Sequence, residues 1–378
     1  MSRLEAYIPV GQKRLRCGYT TGTCAAAAAR GAAELLLTGA CPPAVEILTP
    51  AGIRVTADLE EAASGLGWAS CGVRKDGGDD IDATHGALIF ARVERTEEPG
   101  VTIDGGEGVG RVTRPGLDQP VGSAAINRVP REMIGAQAAE ALQKAGTSGG
   151  LRVVVSVPEG EAIAKKTFNP NLGIVGGISI LGTSGIVRPM SEEALIASIR
   201  LDMQVHAAAG VRDLLVSPGN YGADFSRDVL GLDMSAGVQC SNYIGAAVDM
   251  AVELGFRSLL LVGHAGKVVK LAAGIMNTHS RTADGRGEVL AAHAALCGAG
   301  RETVAAILSS VTTDEVIPLL DQAELRKPVM DSISLAVDRH LKGRAGEGLR
   351  IESMFFSNVY GILGQTPGAD ALISLHRG

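Results

Sequence analysis

Residues 75–86 contain the densest group of side chains that could exchange protons, with four carboxylates and one histidine within a dozen positions. The catalytic candidates in this segment are Asp76, Asp79, Asp80 and His85. Carboxylates that lie close together raise one another's pKa, and a group shifted in this way can act as a general acid or base. Turn-forming residues among them would bring the side chains together. A solvated acidic loop is the alternative interpretation and the usual one for a run of charges.

A block rich in glycine and threonine at residues 17–24 leads directly into an alanine-rich segment with high helix propensity. The first N–H groups of such a helix have no partner within it, and the hydroxyls of Thr20, Thr21 and Thr23 lie beside them. This arrangement predicts an anion-binding site at the start of the helix. An ordinary capped core helix is the alternative, and spacing alone favours it.

Glycine and small hydroxyl residues interrupt an apolar segment at residues 169–191, and a Pro-Gly-Asn-Tyr-Gly turn at residues 218–222 follows another strand pattern. Loops at the carboxyl ends of strands in a doubly wound sheet bind small ligands, so a nucleoside pocket is predicted here. Tight turns in a crowded sheet are the alternative. The candidate cofactor-binding residues are Gly176, Gly177, Gly182, Thr183, Ser184, Asn220 and Tyr221.

The sequence Gly-His-Ala-Gly-Lys at residues 263–267 resembles a phosphate-binding loop, but it lacks the glycine spacing and the final hydroxyl of a Walker A motif. Its backbone N–H groups and the side chains of His264 and Lys267 still suit carboxylates or phosphates, and His279 lies among further donors downstream. A lone histidine at either position is more often a structural hydrogen-bonding residue than a catalyst.

A second glycine-rich segment, residues 101–110, resembles the cofactor turn of common S-adenosylmethionine-dependent methyltransferases. Such a turn must lead from a strand into a helix. Pro115 and Gly116 follow too early for a helix, so a hairpin is predicted instead.

The elements that would position these residues differ between the two parts of the chain. Short strand patterns with few helices precede the glycine-rich linker at residues 146–150, whereas apolar strands alternate with helices after it, which predicts a parallel sheet with right-handed crossovers. The predicted fold class is an α+β N-terminal domain followed by an α/β, Rossmann-like domain with a mostly parallel sheet. The predicted domains are residues 1–147, 148–300 and a helical segment with a final strand at 301–378, either separate or packed against the first domain. The strand patterns lie at residues 45–48, 53–57, 68–74, 87–94, 101–103, 110–112, 151–157, 214–216, 259–262 and 350–356, and helix patterns at 130–145, 191–209 and 241–254.

Composition excludes several functional classes. The formal net charge of −6 argues against general electrostatic binding to nucleic acid or to an anionic membrane, and only 3% of the residues are aromatic. The six cysteines show neither a CxxC pair nor zinc-finger spacing, so they are predicted to be reduced thiols, and no metal site is predicted. With no signal-peptide pattern and no apolar run of ~18 residues, a cytoplasmic protein without membrane contact is expected.

Several short motifs occur in a characteristic order between residues 15 and 290. They are Gly-Tyr-Thr-Thr-Gly-Thr-Cys-Ala-Ala-Ala at 18–27, Asp-Gly-Gly-Asp-Asp at 76–80, Thr-His-Gly-Ala at 84–87, Ala-Ile-Asn at 125–127, Val-Pro-Arg at 129–131, Gly-Gly-Ile-Ser-Ile-Leu-Gly-Thr at 176–183, the turns at 218–222 and 263–267, and Asn-Thr-His-Ser at 277–280. In this combination the sequence resembles the cobalt-precorrin-5B C(1)-methyltransferase (CbiD) family of anaerobic cobalamin biosynthesis. Arg128 stands where the family pattern has proline, and the segment after Gly300 is the least similar part.

The resemblance implies a two-domain enzyme that transfers a methyl group from S-adenosylmethionine to carbon 1 of a tetrapyrrole whose cobalt belongs to the substrate. The products would be cobalt-precorrin-6A and S-adenosylhomocysteine. A carboxylate near the sulfonium would stabilise it, and a proton lost from the macrocycle needs an acceptor; the catalytic candidates named above could serve both roles. The candidates for binding the substrate's many carboxylates are Arg16, Thr20, Thr21, Thr23, His264, Lys267 and His279.

Two other functions stay open at this point. One is a nucleotide-dependent phosphotransferase or ligase that uses the turn at residues 263–267, and the other is a non-catalytic carrier of a corrinoid intermediate. Neighbouring enzymes of the cobalamin pathway and a second copy of the chain are further candidate partners.

Overall fold

In the computed structural model, the described residues are 4–10, 12–170, 172–234 and 237–377. The chain forms two compact units, Met1–Glu192 and Glu193–Gly378. The sequence-based prediction instead places domain boundaries after residue 147 and after residue 300. Asn171, in the predicted nucleoside segment, lies outside the described residues.

The first unit combines many short strands with two long helices. Its helices are α1 (Thr21–Thr38), α2 (Arg128–Ala145) and α3 (Gly160–Ala164). Its strands are β1 (Tyr7–Val10), β2 (Lys13–Arg16), β3 (Gly18–Tyr19), β4 (Ala44–Leu48), β5 (Arg54–Asp58), β6 (Glu60–Gly65), β7 (Trp68–Arg74), β8 (Leu88–Thr96), β9 (Gly100–Gly105), β10 (Gly108–Val109), β11 (Arg111–Val112), β12 (Gly150–Ser156), β13 (Ile174–Val175), β14 (Gly177–Ile178) and β15 (Ile186–Val187).

The main sheet of the first unit has the strand order β6-β7-β8-β12-β9, with β12 antiparallel to β8 and parallel to β9. Helix α1 packs against α2 and against strands β7 and β8. The run of alanines from Ala25 to Ala29 in this helix is completely buried. Because alanine adds only a methyl group, the helix can lie close to β7, the strand that leads into residues 75–86.

Two of the sequence-based assignments in this unit are wrong. The apolar strand predicted at residues 151–157 was expected in the parallel sheet of the second domain, but the corresponding strand β12 lies within the first sheet, between β8 and β9. A strand with neighbours on both sides is apolar in either kind of sheet, so its sequence does not identify its partners. The expected hairpin at residues 101–110 is also absent, because β9 pairs with β12 and β10 pairs with β14.

The second unit has one five-stranded sheet and most of the helices. Its strands are β16 (Asp213–Ser217), β17 (Gly237–Gln239), β18 (Ser258–His264), β19 (Arg350–Ser357) and β20 (Gly361–Gln365). Its helices are α4 (Glu192–Ala208), α5 (Asn220–Asp228), α6 (Ile244–Glu253), α7 (Ala265–Val268), α8 (Arg286–Leu296), α9 (Arg301–Ser309), α10 (Thr313–Gln322), α11 (Arg326–Ala345) and α12 (Ala369–Arg377), with short 3-10 helices at Val269–Ala273 and Gly346–Gly348.

The strand order in this sheet is β17-β16-β18-β19-β20, and β16, β17, β18 and β19 run parallel. Both faces are covered: Leu214 and Leu261 lie in one apolar cluster, whereas Leu215 and Leu260 lie in another. Burial on both faces explains why these strands are uninterrupted apolar runs. Residues 301–378, whose packing the sequence left open, contribute β19 and β20 to this sheet.

The fold is therefore mixed α/β with parallel strands in its sheets, as predicted at that level of detail. The strands predicted at residues 68–74 and 350–356 and the helix predicted at residues 130–145 are all present. Within the part of the chain that is described, no helix is long and apolar enough to cross a membrane.

Candidate active site

Arg16, at the end of β2, forms a bidentate ion pair with Asp76 in the acidic loop that follows β7. Its guanidinium nitrogens donate to the two carboxylate oxygens at 2.5 and 2.8 Å, and the Gly78 N–H donates to Asp76 Oδ1 at 2.9 Å. The hydrogen bond from Arg16 lowers the pKa of Asp76. Asp76 is thus held in its ionised form, and it fixes the position of Arg16.

Asp79 and Asp80 each accept a backbone N–H from another segment of the first unit. The N–H of Arg16 donates to Asp79 Oδ2 at 2.7 Å, and the N–H of Met190 donates to Asp80 Oδ1 at 3.0 Å. Asp79 is exposed and Asp80 half-buried. The two carboxylates attach the acidic loop to its neighbours and still reach solvent.

His85 has a defined hydrogen-bonding state. Its Nδ1 accepts the backbone N–H of Gly77 at 3.0 Å, so the neutral imidazole carries its proton on Nε2. His85 is exposed. In this state the ring can donate a hydrogen bond to an anion through Nε2, but it can accept a proton only by giving up the bond to Gly77.

A second ion pair, which the sequence analysis did not identify, organises the same loop. The side chain of Lys75 is only 2% exposed, and its ammonium group pairs with Asp82. Oδ1 of Asp82 also accepts the N–H and the hydroxyl of Thr84 at 2.8 and 2.6 Å. Burial alone would raise the pKa of Asp82, but the charge and hydrogen bond of Lys75, with the bonds from Thr84, lower it overall. The available signal was a lysine placed directly after an apolar strand.

The acidic loop crosses the segment between β2 and β3 at two glycines. A Cβ atom on Gly18 would lie 2.2 Å from the carbonyl carbon of Gly77, and one on Gly78 would lie 2.3 Å from the Arg16 carbonyl oxygen. Gly78 also has a φ of +68°, which favours glycine. The close backbone contact explains why Arg16 and Asp76 come together.

The N-terminus of α1 is capped within the protein, as in the alternative that spacing favoured, and is not open as an anion site. Thr20 caps the helix by accepting the Thr23 N–H at 3.3 Å, and the Gly22 N–H donates to the Leu181 carbonyl at 2.9 Å. The Thr23 hydroxyl donates to the Gly185 carbonyl at 2.8 Å. The three threonines are at most 9% exposed. The loop at residues 181–187 therefore supplies the partners that a bound anion would have supplied.

The glycines of the predicted nucleoside segment differ in what surrounds them. A Cβ on Gly177 would lie 2.1 Å from the Gly108 carbonyl oxygen, and one on Gly182 would lie 2.2 Å from Thr20 Oγ1. Gly176 is exposed, with no atom within 4 Å of its Cβ position. Contacts within the protein thus account for Gly177 and Gly182. Of the two hydroxyl residues that follow, Thr183 is exposed and the Ser184 hydroxyl donates to the Ile186 carbonyl at 3.0 Å.

In the second unit, two of the predicted turns meet at the carboxyl edge of the parallel sheet. The Lys267 ammonium, in the turn after β18, donates to the Pro218 carbonyl after β16 at 2.6 Å and to the Ser241 carbonyl at 3.4 Å. Burial lowers the pKa of Lys267 and that of His264. Because backbone carbonyls already bind its ammonium group, Lys267 does not resemble the phosphate-binding lysine of a nucleotide loop.

His264 and His279 share the hydrogen-bonding state of His85. Nδ1 of His264 accepts the Gly266 N–H at 3.1 Å, and Nδ1 of His279 accepts the Arg281 N–H at 3.1 Å. Each neutral ring therefore keeps its proton on Nε2. Both side chains are partly exposed, so each can donate to an anion.

A cavity of about 340 Å³ lies next to α5 and the end of β19. Its lining includes Tyr221, Phe225 and Ser357. Asn220 and Tyr221 are both exposed, and Phe225 stacks on Phe356 with ring centroids 3.8 Å apart. The volume falls within the range of small-molecule pockets. No cluster of three or more metal-ligating side chains occurs among the described residues.

Comparisons with known proteins match most of the chain. A family model described as CbiD matches residues 8–189, and one described as CbiD, C-terminal domain, matches residues 277–367. A protein from Ruminiclostridium cellulolyticum named cobalt-precorrin-5B C(1)-methyltransferase is 50% identical over 94% of this chain and 92% of the relative. A protein of the same name from Alkaliphilus metalliredigens is 40% identical over 98% of both chains. The 1.9 Å crystal structure of a cobalamin biosynthesis protein (cbiD) from Archaeoglobus fulgidus is 30% identical, covers 75% of this chain and 89% of that chain, and has a TM-score of 0.40.

Proposed function

The chain belongs to the CbiD family, and on that premise we propose that it methylates C-1 of cobalt-precorrin-5B in cobalamin biosynthesis. The observation that supports this most strongly is the relative of that name from R. cellulolyticum, whose 50% identity extends over 94% of the chain. A methyltransferase needs a methyl donor, and the donor proposed here is S-adenosylmethionine. When bound, it supplies a methyl group on a positively charged sulfur that is already a good leaving group. The protein then has to align the reacting atoms and exclude water.

The second unit is proposed to be a Rossmann-like domain. The chain leaves β16 for β17 on one side and then crosses to β18 on the other, so the strand order reverses between β16 and β18. Ligands of doubly wound sheets bind at the carboxyl ends of the strands at this point of reversal. The turns at residues 218–222 and 263–267 both lie there.

The exposed side chains of Asn220 and Tyr221 are proposed to contact S-adenosylmethionine. Gly219, with a φ of +135°, leads from β16 into α5, and a Cβ on Gly222 would lie 2.5 Å from the Val262 carbonyl oxygen of β18. The helix therefore packs tightly on the sheet and presents Tyr221 at the 340 Å³ cavity. Tyr221 and the amide of Asn358 both line this cavity, and an aromatic side chain beside an amide suits an adenosine group.

A second, separate set of proposed cofactor contacts lies in the first unit and consists of Gly176, Gly177, Gly182, Thr183 and Ser184. Exposure supports Gly176 and Thr183 best, because Gly177 and Gly182 are in contact with other parts of the protein. The affinity for S-adenosylhomocysteine, measured by titration, distinguishes the residues at 176–184 from Asn220 and Tyr221. Loss of affinity in Tyr221→Ala but not in Thr183→Ala would place the adenosine in the second unit, and the opposite result would place it in the first.

The acidic loop is proposed to provide the catalytic groups. In Asp79 and in Asp80, one carboxylate oxygen accepts the backbone N–H described above and the other does not. The second oxygen can stabilise positive charge or accept a proton released from the macrocycle. Asp76 contributes by holding Arg16. His85, with its proton on Nε2, is proposed to donate to an anionic group of the substrate rather than to accept the proton.

The substrate's carboxylates are proposed to bind the donors that remain available. In the second unit these donors are Nε2 of His264 and of His279. In the first unit, as a separate set, they are the remaining N–H groups of Arg16. Lys267 adds positive charge at the sheet edge. Thr20, Thr21 and Thr23 also belong to the proposed set, but their burial indicates that they act by fixing the loop at residues 181–187.

The test is incubation of the protein with cobalt-precorrin-5B and methyl-labelled S-adenosylmethionine, followed by mass spectrometry of the macrocycle. One label at C-1, with formation of cobalt-precorrin-6A and S-adenosylhomocysteine, is the expected result. Binding of the pigment without consumption of the donor would instead indicate a carrier. Thermal stabilisation by ATP but not by S-adenosylmethionine would indicate the nucleotide-dependent alternative, which the carbonyl-bound Lys267 does not favour.

A cytoplasmic location, homo-oligomerisation and contacts with neighbouring enzymes of the pathway stay predictions. Sedimentation of the purified protein across a range of concentrations would test the oligomer.

A further inference from the structure

Two cysteines of the first unit that have no part in the proposed function face each other. Cys41 follows the αL cap of α1 at Gly39, and Cys71 lies within β7. Their Sγ atoms are 3.6 Å apart, and both are free thiols. A disulfide bond needs a separation of about 2.05 Å, so the two sulfurs would have to approach by about 1.5 Å. Cys41 is half-buried, so a small movement of its segment could provide this approach.

We propose that Cys41 and Cys71 form a reversible thiol–disulfide site that reacts with low-molecular-weight disulfides such as glutathione disulfide. The Cys41 thiolate attacks one sulfur of glutathione disulfide, which forms a mixed disulfide on Cys41 and releases one glutathione thiolate. The Cys71 thiol then gives its proton to water, and its sulfur attacks Sγ of Cys41. The Cys41–Cys71 bond forms, and the second glutathione leaves as a thiolate. Two protein thiols are oxidised and one glutathione disulfide is reduced to two glutathiones.

The surroundings of the two sulfurs determine the order of these steps. Burial, together with the neighbouring Cys41, raises the pKa of Cys71 to about 12. A buried thiol that holds its proton reacts slowly with external reagents. The half-buried Cys41 is therefore the point of entry, and Cys71 reacts only because Cys41 is already beside it.

The other cysteines of the chain provide internal controls. Cys297, which follows α8, is half-buried like Cys41, but no sulfur contact to it occurs among the described residues. Cys297 should therefore stop at a mixed disulfide with glutathione. Cys17, Cys24 and Cys240 are at most 3% exposed and should not react while the protein is folded.

The experiment uses the full, folded chain, incubated with glutathione disulfide, alkylated and mapped as peptides without reduction. The expected result is a Cys41–Cys71 crosslink that dithiothreitol removes, together with a glutathione adduct on Cys297. In Cys71→Ser, the adduct on Cys41 should persist. Because wild-type protein alone decides the main point, the test does not depend on the folding of a variant. A stable glutathione adduct on Cys41 of the wild-type protein, or an unmodified Cys41 when Cys297 has reacted, would overturn the proposal.

Discussion

Replacement of His85 by glutamine separates hydrogen-bond donation from proton transfer. Because Nδ1 of His85 accepts the Gly77 N–H, Nε2 is a donor, and the amide nitrogen of glutamine can donate from a similar position. A hydrogen bond to a charged group contributes about 1.5–3 kcal/mol, and ~1.4 kcal/mol corresponds to a factor of ten. His85→Ala should therefore lower kcat/KM by about 10- to 150-fold, whereas His85→Gln should restore most of that loss.

The measurement is the initial rate of labelled-methyl transfer at several concentrations of cobalt-precorrin-5B. Ile81→Ala is the matched control, since this side chain lies in the same loop and is fully exposed. A general base contributes about 10²- to 10⁴-fold, and glutamine cannot accept a proton. If His85→Gln lost as much activity as His85→Ala while Ile81→Ala stayed at the wild-type rate, His85 would be the proton acceptor and the reasoning from its tautomer would be wrong.

Three predictions concern the stability of the acidic loop, each measured by urea unfolding. Lys75→Met should lower the free energy of unfolding by about 3 kcal/mol, because the Asp82 side chain, which is only 23% exposed, would lose its counter-ion. Adding Asp82→Asn should recover part of the lost stability. An unchanged urea midpoint in Lys75→Met would contradict this prediction. The folded-state pKa of Asp82 is lowered, so the stability that its carboxylate contributes is fully present above its unfolded-state pKa of about 3.9. That stability is lost as the pH falls through the lower folded-state value. Asp82→Asn should therefore flatten the decline in the free energy of unfolding below about pH 5. Gly78→Ala should lower the free energy of unfolding by about 3 kcal/mol, because the added Cβ would lie 2.3 Å from the Arg16 carbonyl oxygen. Gly86→Ala is the control: its φ of +79° is similar but the space around it is open, so it should lower the free energy of unfolding by only about 1 kcal/mol. Equal losses would show that the backbone crossing is unimportant.

Local sequence was sufficient to predict several elements and the acidic loop. The alanine run and the preceding threonines predicted a capped helix, and α1 begins at Thr21 with Thr20 as its cap. Turn residues predicted a compact loop at residues 75–86, and within it His85 accepts the Gly77 N–H. These contacts lie within a dozen residues, where chain geometry alone restricts the outcome.

Contacts between distant segments were not predictable in the same way. Asp76 pairs with Arg16 across 60 positions, and Asp80 accepts the Met190 N–H across 110. The pattern of hydrophobic residues reports which side of a strand is buried, but it does not report which strand or loop lies beside it. Local sequence favoured a cap at the start of α1, but it did not show that the loop at residues 181–187 supplies the partner of the Gly22 N–H.

That loop has a consequence for how the protein is made. Since proteins are synthesised from the N-terminus, α1 leaves the ribosome long before residues 181–187 exist, and the Gly22 amide then has only water as its partner. The native start of α1 can form only after almost all of the first unit has been translated. A nascent chain released at residue 147 would lack both this loop and the central strand β12, so it should be degraded or captured by chaperones rather than accumulate as a folded half.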